Sequence, residues 1–562
     1  MWNHRYQFAL LFGLGLSVGT PVKAAAFLEP LPTEMTSISA VEMARRIRYG
    51  EITSTHLIEA HLARIRELNG ELQAIVTESA TAMDEAAAAD RLYETVFDNA
   101  LEATLLEAEV DVAEPSHIEE ARRRVAEGEA LPPFHGVPIT IKDSFDTAGL
   151  RSTWGTVGRA EFVPDTSATV VTRLVEAGFI ILGKTQTPEF TMGFRGVNNL
   201  FPETRNPYSR RYSSGGSSSG ECAGIAAGFS PAGIGSDTLG SLRYPASLCG
   251  VVSLKPTRGR IPLTGHAIAS GNLAGTMTQV GPIARYVEDV EALLRLMMGS
   301  DGFDTETPDV MPELGDYRQV SMESLRVGFY TRSGNVEANP RVAQAVEESV
   351  GALEPVVRSS GVVTPPTGID YLSILTSTPG YFSGLLNEAG TTSADITQDM
   401  RNTMGIPGEN PSTAARNLEN YRERFLELFV DHDVILSPVY AEAEVIGDPN
   451  MGSLFTMAHN LTGFPAAVVP VGIGESGMPI GVQIVGRPWE EDVVLAVAGF
   501  LEAECGGWRL PGLYIEREGD TLTIHRLGDG RVTSSSEIDG RFRRVDGNPI
   551  QHSGETAFFR LQ

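Results

Sequence analysis

Short apolar runs rich in β-branched residues recur from residue 131 onward, and they alternate with stretches of helical composition. Residues 139–141, 179–182 and 482–485 are runs of the first kind, and residues 169–177 and 287–298 are stretches of the second kind. Runs that are apolar along most of their length are typical of strands buried on both faces. The pattern predicts an α/β fold: a single large domain with a mixed, mostly parallel, twisted sheet that helices cover on both faces.

The first residues depart from this pattern. A short polar region with His4 and Arg5 precedes an apolar run over residues 8–18, and residues 22–24 form a small-x-small cleavage site. The apolar run is too short to span a bilayer as a helix, but it has the length of a signal-peptide core. We therefore predict a signal peptide over residues 1–24, export to the periplasm or the medium, and no stable membrane insertion after its removal.

The last residues differ as well. Alternating segments separated by Gly-Asp and Asp-Gly turns predict a β-rich C-terminal extension over residues 513–562. Residues 33–510 then form the main domain. Within it, residues 96–130 are acidic and alanine-rich without a strand pattern, and this composition predicts a solvated helical insertion.

The charge of the chain excludes several classes of function. Its 44 basic and 72 acidic residues give a formal net charge of −28 at neutral pH. A nucleic-acid-binding protein needs a basic surface that displaces counterions from phosphates, and a protein that docks on anionic lipid needs basic residues as well. The balance therefore predicts no nucleic-acid partner and an acidic, soluble surface.

The residues that bind metals in proteins are dispersed here. Cys222, Cys249 and Cys505 have no CxxC spacing, and none of the ten histidines lies in an HExxH motif. We expect buried thiols or at most one disulfide bridge, and no metal site.

Residues 213–220 form a run of serines and glycines that admits four interpretations. A flexible linker is disfavoured because strand and helix patterns continue on both sides, and a plain surface loop is the second interpretation. Gly216-x-Ser218-x-Gly220 also fits the nucleophile elbow of α/β-hydrolases, but that elbow follows an apolar strand directly, whereas polar residues 206–211 precede this run. An esterase using Ser218 and a downstream histidine therefore stays an alternative. The downstream histidines, none of them in a recognisable motif, are His266, His459, His525 and His552.

The fourth interpretation rests on segments elsewhere in the chain, namely residues 135–143, 235–246, 250–257, 463–467 and 481–488. Together with the serine-glycine run, and in this order, they resemble the motifs of the amidase signature family. The resemblance covers roughly residues 33–510. It implies that this region is a catalytic domain that hydrolyses amides with a Ser–cis-Ser–Lys triad and needs no cofactor.

By that resemblance, Ser241 is the nucleophile, Ser217 is the bridging serine in a cis peptide after Gly216, and Lys142 is the base, with Ser218 supporting the lysine. The residue types suit this chemistry. A serine hydroxyl is a weak nucleophile and needs a positioned base, and a serine–lysine pair is one accepted arrangement. A lysine acts as a base only when it is neutral, which burial favours, and Lys142 follows the apolar residues 138–141.

The resemblance also implies an oxyanion hole built from the backbone N–H groups of Thr238, Leu239, Gly240 and Ser241. One such donor typically contributes about 10²–10³ to the rate. The family usually has two glycines before the nucleophile, and this chain has Leu239-Gly240. If position 239 requires a positive φ, leucine strains the loop; otherwise its side chain crowds the acyl side of the pocket.

Two charges flank this turn. Asp237 and Arg243 are expected to hold it by a buried ion pair, as residues that support the site without reacting. Specificity is expected to come mainly from residues 370–430, with the insertion at 96–130 as a further contributor.

We therefore predict an exported amidase that hydrolyses a small-molecule amide; its oligomeric state, a homodimer included, stays open. Two other classes are alternatives. One is a catalytically inactive exported binding protein on the same scaffold. The other is the family's aminoacyl-tRNA amidotransferase branch, which the predicted export and the strong negative charge both oppose.

Overall fold

A computed structural model of the chain describes residues 35–110, 112–442, 454–474 and 477–508, and from residue 512 onward the backbone of its strands. The predicted signal peptide over residues 1–24 lies outside the described residues, so the signal peptide and the export that depends on it stay predictions. Among the helices that are described, none combines the length and the apolar composition needed to cross a membrane.

Sixteen α-helices lie within the described residues. They are α1 Ala40–Arg48, α2 Ser54–Leu72, α3 Ala82–Ala108, α4 Pro115–Glu127, α5 Thr169–Glu176, α6 Ser219–Ala227, α7 Arg243–Cys249, α8 Leu273–Met277, α9 Val287–Met297, α10 Pro340–Leu353, α11 Tyr371–Leu375, α12 Tyr381–Glu388, α13 Gln398–Met404, α14 Pro411–Glu427, α15 Met457–Thr462 and α16 Glu491–Cys505. The predicted insertion at residues 96–130 is formed by the end of α3 and by α4, which pack on each other.

The strands of the described residues form one large sheet and three small ones. The large sheet contains β1 Ile75–Glu78, β2 Pro138–Lys142, β3 Ile180–Thr185, β4 Ala232–Asp237, β5 Val252–Lys255, β6 Gln279–Ala284, β7 Arg326–Phe329, β10 Ser359–Val362, β11 Val434–Pro438, β12 Ala466–Ile473 and β13 Pro479–Gly486. A hairpin is formed by β8 Arg332–Ser333 and β9 Val336–Glu337. The C-terminal extension contains β14 Gly512–Glu518, β15 Thr521–Leu527, β16 Val532–Ser535, β17 Arg543–Arg544, β18 Ile550–His552 and β19 Phe558–Leu561, in two three-stranded sheets.

The predicted single large α/β domain with a mixed sheet is confirmed. The strand order is β1-β3-β2-β4-β6-β5-β12-β13-β11-β7-β10. Parallel pairs occur toward the two sides, β3 with β2 and β2 with β4 on one, and β11 with β7 and β7 with β10 on the other.

The parallel share of this sheet is smaller than predicted. The middle of the sheet, from β4 through β6, β5, β12 and β13 to β11, is antiparallel at every step. The physical reason is that an apolar run records burial on both faces and carries no information on strand direction. Antiparallel strands that are covered on both faces therefore have the same composition as parallel ones.

Alternating side chains of the sheet divide the core between its two faces. Ile139 and Ile141 of β2 join a core with the helices α1, α5, α9, α10 and α16. Ile180 and Leu182 of β3 join a second core with the helices α2, α6, α7, α8, α14 and α15. Ile181, between them on β3, packs against the first core, because successive residues of a strand point to opposite faces; one strand thus serves both cores. The helices therefore cover both faces, as predicted.

The helix α6 lies unusually close to the sheet. All nine of its residues are buried, and most are small. A Cβ atom added at Gly220 would lie 2.3 Å from the Gln186 nitrogen, so only glycine permits this approach. At the next position, Glu221 accepts hydrogen bonds from Thr140 of β2 and Thr185 of β3. This packing fixes the start of α6, and with it the serine-glycine run, beside the end of β2.

Candidate active site

Lys142 is the last residue of β2, and its side chain is completely buried. Its ammonium nitrogen Nζ lies 2.7 Å from Ser217 Oγ and 3.0 Å from Ser236 Oγ. Burial lowers the lysine pKa to about 7, although the negative charges of Asp237 and Glu221 act in the opposite direction. A large fraction of Lys142 is therefore neutral near pH 7, which a base must be.

The loop before α6 carries Ser217, which is buried and lies in a cis peptide with Gly216. Two glycines permit the close course of this loop. A Cβ atom at Gly215, which has φ +77°, would lie 2.8 Å from the Pro245 Cα atom, and a Cβ atom at Gly216 would lie 2.8 Å from the Arg195 nitrogen. The glycines therefore let Ser217 reach Lys142.

Among the described residues, Ser218 makes no hydrogen bond to Lys142, the lysine that it is predicted to support. Its hydroxyl donates a hydrogen bond to the Ser236 carbonyl at 3.4 Å, and its N–H donates to the Ser241 carbonyl at 3.3 Å. The reason is geometric, because Ser218 is the N-cap of α6 and faces the end of β4. The hydroxyl that contacts Lys142 besides Ser217 is that of Ser236, which lies within the motif at residues 235–246 but was not singled out from the sequence.

Ser241 lies in the turn between β4 and α7, and it lines a cavity. Within the described part of the chain, its hydroxyl makes no hydrogen bond to Ser217. The structure thus brings Lys142 and Ser217 into direct contact and places Ser241 at the cavity wall, with its carbonyl bonded to the Ser218 N–H.

The amides of this turn differ in availability. The Gly240 N–H donates to the Asp237 carboxylate at 2.6 Å, so this amide, which was predicted as an oxyanion donor, is engaged within the turn itself. The amides of Thr238, Leu239 and Ser241 have no hydrogen-bond partner among the described residues. Three of the four predicted donors are therefore available to a substrate.

Leu239 occupies its position without backbone strain. The residue of this turn with a positive φ is Gly240, at +130°, where a Cβ atom would lie 2.2 Å from Thr456 Oγ1. The Leu239 carbonyl accepts a hydrogen bond from Thr456 at 2.8 Å, and the residue lines the cavity. The sequence left two outcomes open, a strained loop or a side chain in the pocket. The structure shows the second, because Leu239 forms part of the cavity wall.

The expected ion pair between Asp237 and Arg243 is present, with Arg243 Nε 2.9 Å from Asp237 Oδ2 and both side chains completely buried. Burial alone would raise the pKa of Asp237, but the Arg243 charge and its hydrogen bonds hold that pKa at about 2. Arg243 also donates to the Thr456 carbonyl, to Gln483 and to Asn460, at 2.6–2.8 Å. Breaking a buried pair of this kind typically costs about 3–5 kcal/mol of stability.

The anchors of Arg243 were missed from the sequence. Asn460 lies on α15 and Gln483 on β13, more than 200 residues beyond the turn. The Asn460 amide also donates to the carboxylate and the carbonyl of Asp237, at 2.7 and 2.9 Å. Gln483 lies within the motif at residues 481–488, which was the only available signal for these contacts.

The cavity at Ser241 has a volume of about 360 Å³, within the usual range of small-molecule sites. It is bounded by the 191–194 segment, by the turn with Ser241 and by the 370–430 region, as was expected for specificity. The lining residues are Thr191, Met192, Gly193, Phe194, Thr238, Leu239, Ser241, Ile268, Leu372, Leu375, Asp399, Asn402, Thr403 and Ile406. The insertion at 96–130 contributes none of them.

Possible cofactor ligands are sparse in this region. Across the ranges that the structure describes, no group of three or more His, Cys, Asp or Glu side chains is arranged to hold a metal ion. Cys222 and Cys249 are buried free thiols, and the side chain of Cys505 is partly exposed. The fold therefore holds a buried lysine against a serine hydroxyl group, next to a cavity that a second serine, Ser241, lines.

Comparisons with known proteins identify the family. The amidase family model matches residues 95–495. A glutamyl-tRNA(Gln) amidotransferase chain from Synechococcus sp. (strain CC9311) is 32% identical over 504 residues, covering 82% of this chain and 96% of the relative. The chain belongs to the amidase signature family of amide-hydrolysing enzymes, which confirms the resemblance seen in the sequence.

Solved structures give the same assignment. The 6-aminohexanoate cyclic dimer hydrolase, solved in complex with substrate, is 27% identical with a TM-score of 0.69, over 85% of this chain and 99% of that one. A chain from a protein complex described in connection with the evolutionary origins of an s-triazine catabolic enzyme is 28% identical with a TM-score of 0.70, over 84% of this chain and 100% of that one.

Proposed function

We propose that this enzyme hydrolyses its amide through an acyl-enzyme on Ser241, with neutral Lys142 as the base and Ser217 as the proton relay. The observation that carries the proposal is the contact of 2.7 Å between the buried Lys142 Nζ and Ser217 Oγ, next to a cavity lined by Ser241. A lysine that is buried against hydroxyl groups, rather than paired with a carboxylate, is poised to accept a proton.

The first half of the reaction consumes the amide. The Ser241 hydroxyl turns toward Ser217, its proton passes to Ser217 Oγ as the Ser217 proton passes to Lys142 Nζ, and the bond between Ser241 Oγ and the carbonyl carbon forms. The free amides of Thr238, Leu239 and Ser241 are the donors for the developing oxyanion. The C–N bond then breaks, and the proton returns along the same route to the leaving nitrogen.

The second half restores the enzyme. Water replaces the departed amine and gives up a proton to Ser217 and Lys142 as it attacks the acyl ester. The Ser241 Oγ–carbon bond breaks, Ser241 recovers its proton, and the carboxylic acid leaves. Atoms and charges balance without a cofactor.

The esterase alternative is less well supported by the site. Ser218 is completely buried, does not line the cavity, and donates to a backbone carbonyl. Of the downstream histidines whose side chains are described, His266 bonds to Ser236, and neither His266 nor His459 has a hydrogen bond to Ser218. An inactive binding protein would not require a buried lysine with a lowered pKa next to two hydroxyl groups, so that alternative is also disfavoured.

A component of a tRNA-dependent amidotransferase is the remaining candidate, because a relative of this name is 32% identical. The net charge of −28 supports a stand-alone amidase, since a tRNA-dependent enzyme has to approach a polyanion.

A fluorophosphonate probe with peptide mapping tests the assignment of the nucleophile. We expect a single covalent adduct on Ser241, and release of ammonia from simple amides by the purified chain alone, without tRNA or ATP. An adduct on Ser218 would favour the esterase, and absence of any adduct would favour the inactive binding protein. Amide hydrolysis that requires tRNA or added subunits would favour the amidotransferase.

A further inference from the structure

The cavity wall is apolar, apart from a few hydroxyl and amide groups and one carboxylate. Seven of its residues carry large apolar side chains. They are Met192, Phe194, Leu239, Ile268, Leu372, Leu375 and Ile406. No lysine, arginine or histidine occurs among the described lining residues. An anionic group bound here would therefore lose its hydration without gaining a cationic partner, which is costly.

One charged side chain, that of Asp399, does line the cavity. It is exposed, lies in α13, and its carboxylate makes neither an ion pair nor a hydrogen bond within the described residues. An unpaired carboxylate at the mouth of an apolar cavity attracts a cation and repels an anion.

We propose that the substrates are amides with an apolar acyl chain and no negative charge, and that a cationic group at the far end of the chain is favoured through Asp399. This inference rests on the proposed function, because it takes the cavity at Ser241 as the acyl site.

Three amides of matched length test this proposal: octanamide, 8-aminooctanamide and the monoamide of octanedioic acid. We expect kcat/KM for the monoamide to be about 3- to 10-fold lower than for octanamide, because its carboxylate reaches the same position beside Asp399 and is repelled there. Asp399→Asn should lower kcat/KM for 8-aminooctanamide about 3- to 10-fold and leave octanamide within twofold. Glu388→Gln removes an exposed carboxylate of α12 that does not line the cavity, and it should change none of the three.

Equal hydrolysis of the octanedioic monoamide and octanamide would overturn the substrate class. A uniform effect of Asp399→Asn on all three amides would overturn the role of Asp399. If none of the three is hydrolysed while Ser241 still reacts with the fluorophosphonate, the substrate class is wrong and the proposed nucleophile stands.

A second inference comes from His266, which the proposed mechanism does not use. It is buried, and its Nε2 lies 2.9 Å from Ser236 Oγ. The Ile268 N–H donates to His266 Nδ1 at 3.1 Å, whereas the Ile268 carbonyl is more distant at 3.3 Å. A backbone N–H can only donate, so Nδ1 is the acceptor and the imidazole proton is on Nε2. Burial lowers the pKa of His266 to about 3, so the ring is neutral.

This tautomer fixes the direction of the next hydrogen bond. Ser236 Oγ accepts from His266 Nε2–H, and its own proton then faces its remaining partner, Lys142 Nζ, at 3.0 Å. A proton donor aimed at an amine stabilises the neutral form, because an ammonium group has no lone pair to accept it.

The other groups that act on Lys142 have the opposite effect. The negative charges of Asp237 and Glu221 both favour the ammonium form. The hydrogen-bonded path through Ser236 is therefore the polar contact that works with burial to keep the lysine neutral.

We infer that His266 is a positioning residue that acts through Ser236 to keep Lys142 in its free-base form, so that rotation about the Cε–Nζ bond presents the lone pair to Ser217. This inference also rests on the proposed function, because it assigns the base to Lys142.

Two amide variants of His266 separate this role from a structural one. His266→Gln places an N–H donor at the position of Nε2, whereas His266→Asn keeps an acceptor for Ile268 and is too short to reach Ser236. We expect the acidic limb of the kcat/KM–pH profile to move up by about half to one pH unit in His266→Asn, with activity recovered at high pH. In His266→Gln the limb should stay within about 0.3 unit of the wild type.

In the double variant Ser236→Ala/His266→Asn, the acidic limb of the kcat/KM–pH profile should lie at the same pH as in Ser236→Ala alone. Each change by itself already interrupts the hydrogen-bonded path from His266 through Ser236 to Lys142. Equal shifts in His266→Asn and His266→Gln, or no shift in His266→Asn, would overturn the inference. Neither outcome bears on the identity of the nucleophile, which the fluorophosphonate adduct reports separately.

Discussion

Replacing Ser241 by alanine is expected to lower kcat/KM for any amide substrate by about 10⁴-fold or more, with little change in Tm. The change removes the atom that forms the acyl bond, and losses of this size are typical when a covalent nucleophile is deleted. The measurement is initial-rate release of ammonia from a primary amide, with thermal unfolding followed in parallel.

Ser247→Ala is the matched control for this variant. Ser247 is a buried serine of α7, does not line the cavity, and accepts a hydrogen bond from the Gly481 N–H. Its loss should reduce stability slightly and leave kcat/KM within about threefold. Activity within tenfold of the wild type in Ser241→Ala would show that another residue is the nucleophile.

Lys142→Met is expected to lower kcat/KM by about 10³- to 10⁴-fold, because the variant keeps the length of the side chain and loses the base. Lys142→Arg should fail to restore activity, since a guanidinium group does not deprotonate in proteins. In the wild type, the base must be neutral and its pKa is about 7, so kcat/KM should fall about tenfold per pH unit well below pH 7 and level off above it.

Stability gives an independent measure of the same lysine. An unfolded lysine has a pKa of about 10.4, so between about pH 7 and pH 10 the unfolded chain binds more protons at this position than the folded one. Stability from this group therefore rises with pH across that window, and the cost of burying it is largest below pH 7. Lys142→Met should raise Tm more at pH 6 than at pH 10. An equal change in Tm at both values, or a flat pH profile of kcat/KM, would contradict the lowered pKa.

The sequence was sufficient to predict which residues form the candidate site, but not which hydrogen bonds they make. Lys142, Ser217 and Ser241 lie in short contiguous motifs, so their types and spacing were sufficient to single them out. Ser236 is in one of those motifs, but its type and position in the sequence do not show that Ser236, rather than Ser218, forms the second hydroxyl contact with Lys142. The capture of the Gly240 amide by Asp237 depends on the course of a single turn, which no composition records.

The fold shows the same limit. Burial of the strands on both faces could be predicted because apolar runs and helical stretches alternate. The direction of the strands could not be predicted from the same pattern. His266 and Asn460 reach the site from loops and helices far along the chain, and only the three-dimensional arrangement brings them to Ser236 and Asp237. Long-range contacts of this kind leave no periodic signal in the sequence.

The anchoring of Arg243 has a consequence for how the enzyme is made. A nascent chain acquires Lys142, Ser217 and Ser241 before half of its length has been synthesised, but Asn460 and Gln483 emerge only near the end of the domain. Until then the turn that carries the nucleophile lacks the side chains that hold it. Hydrolytic activity thus depends on nearly complete synthesis, and a prematurely terminated product contains the reacting groups without the frame that aligns them.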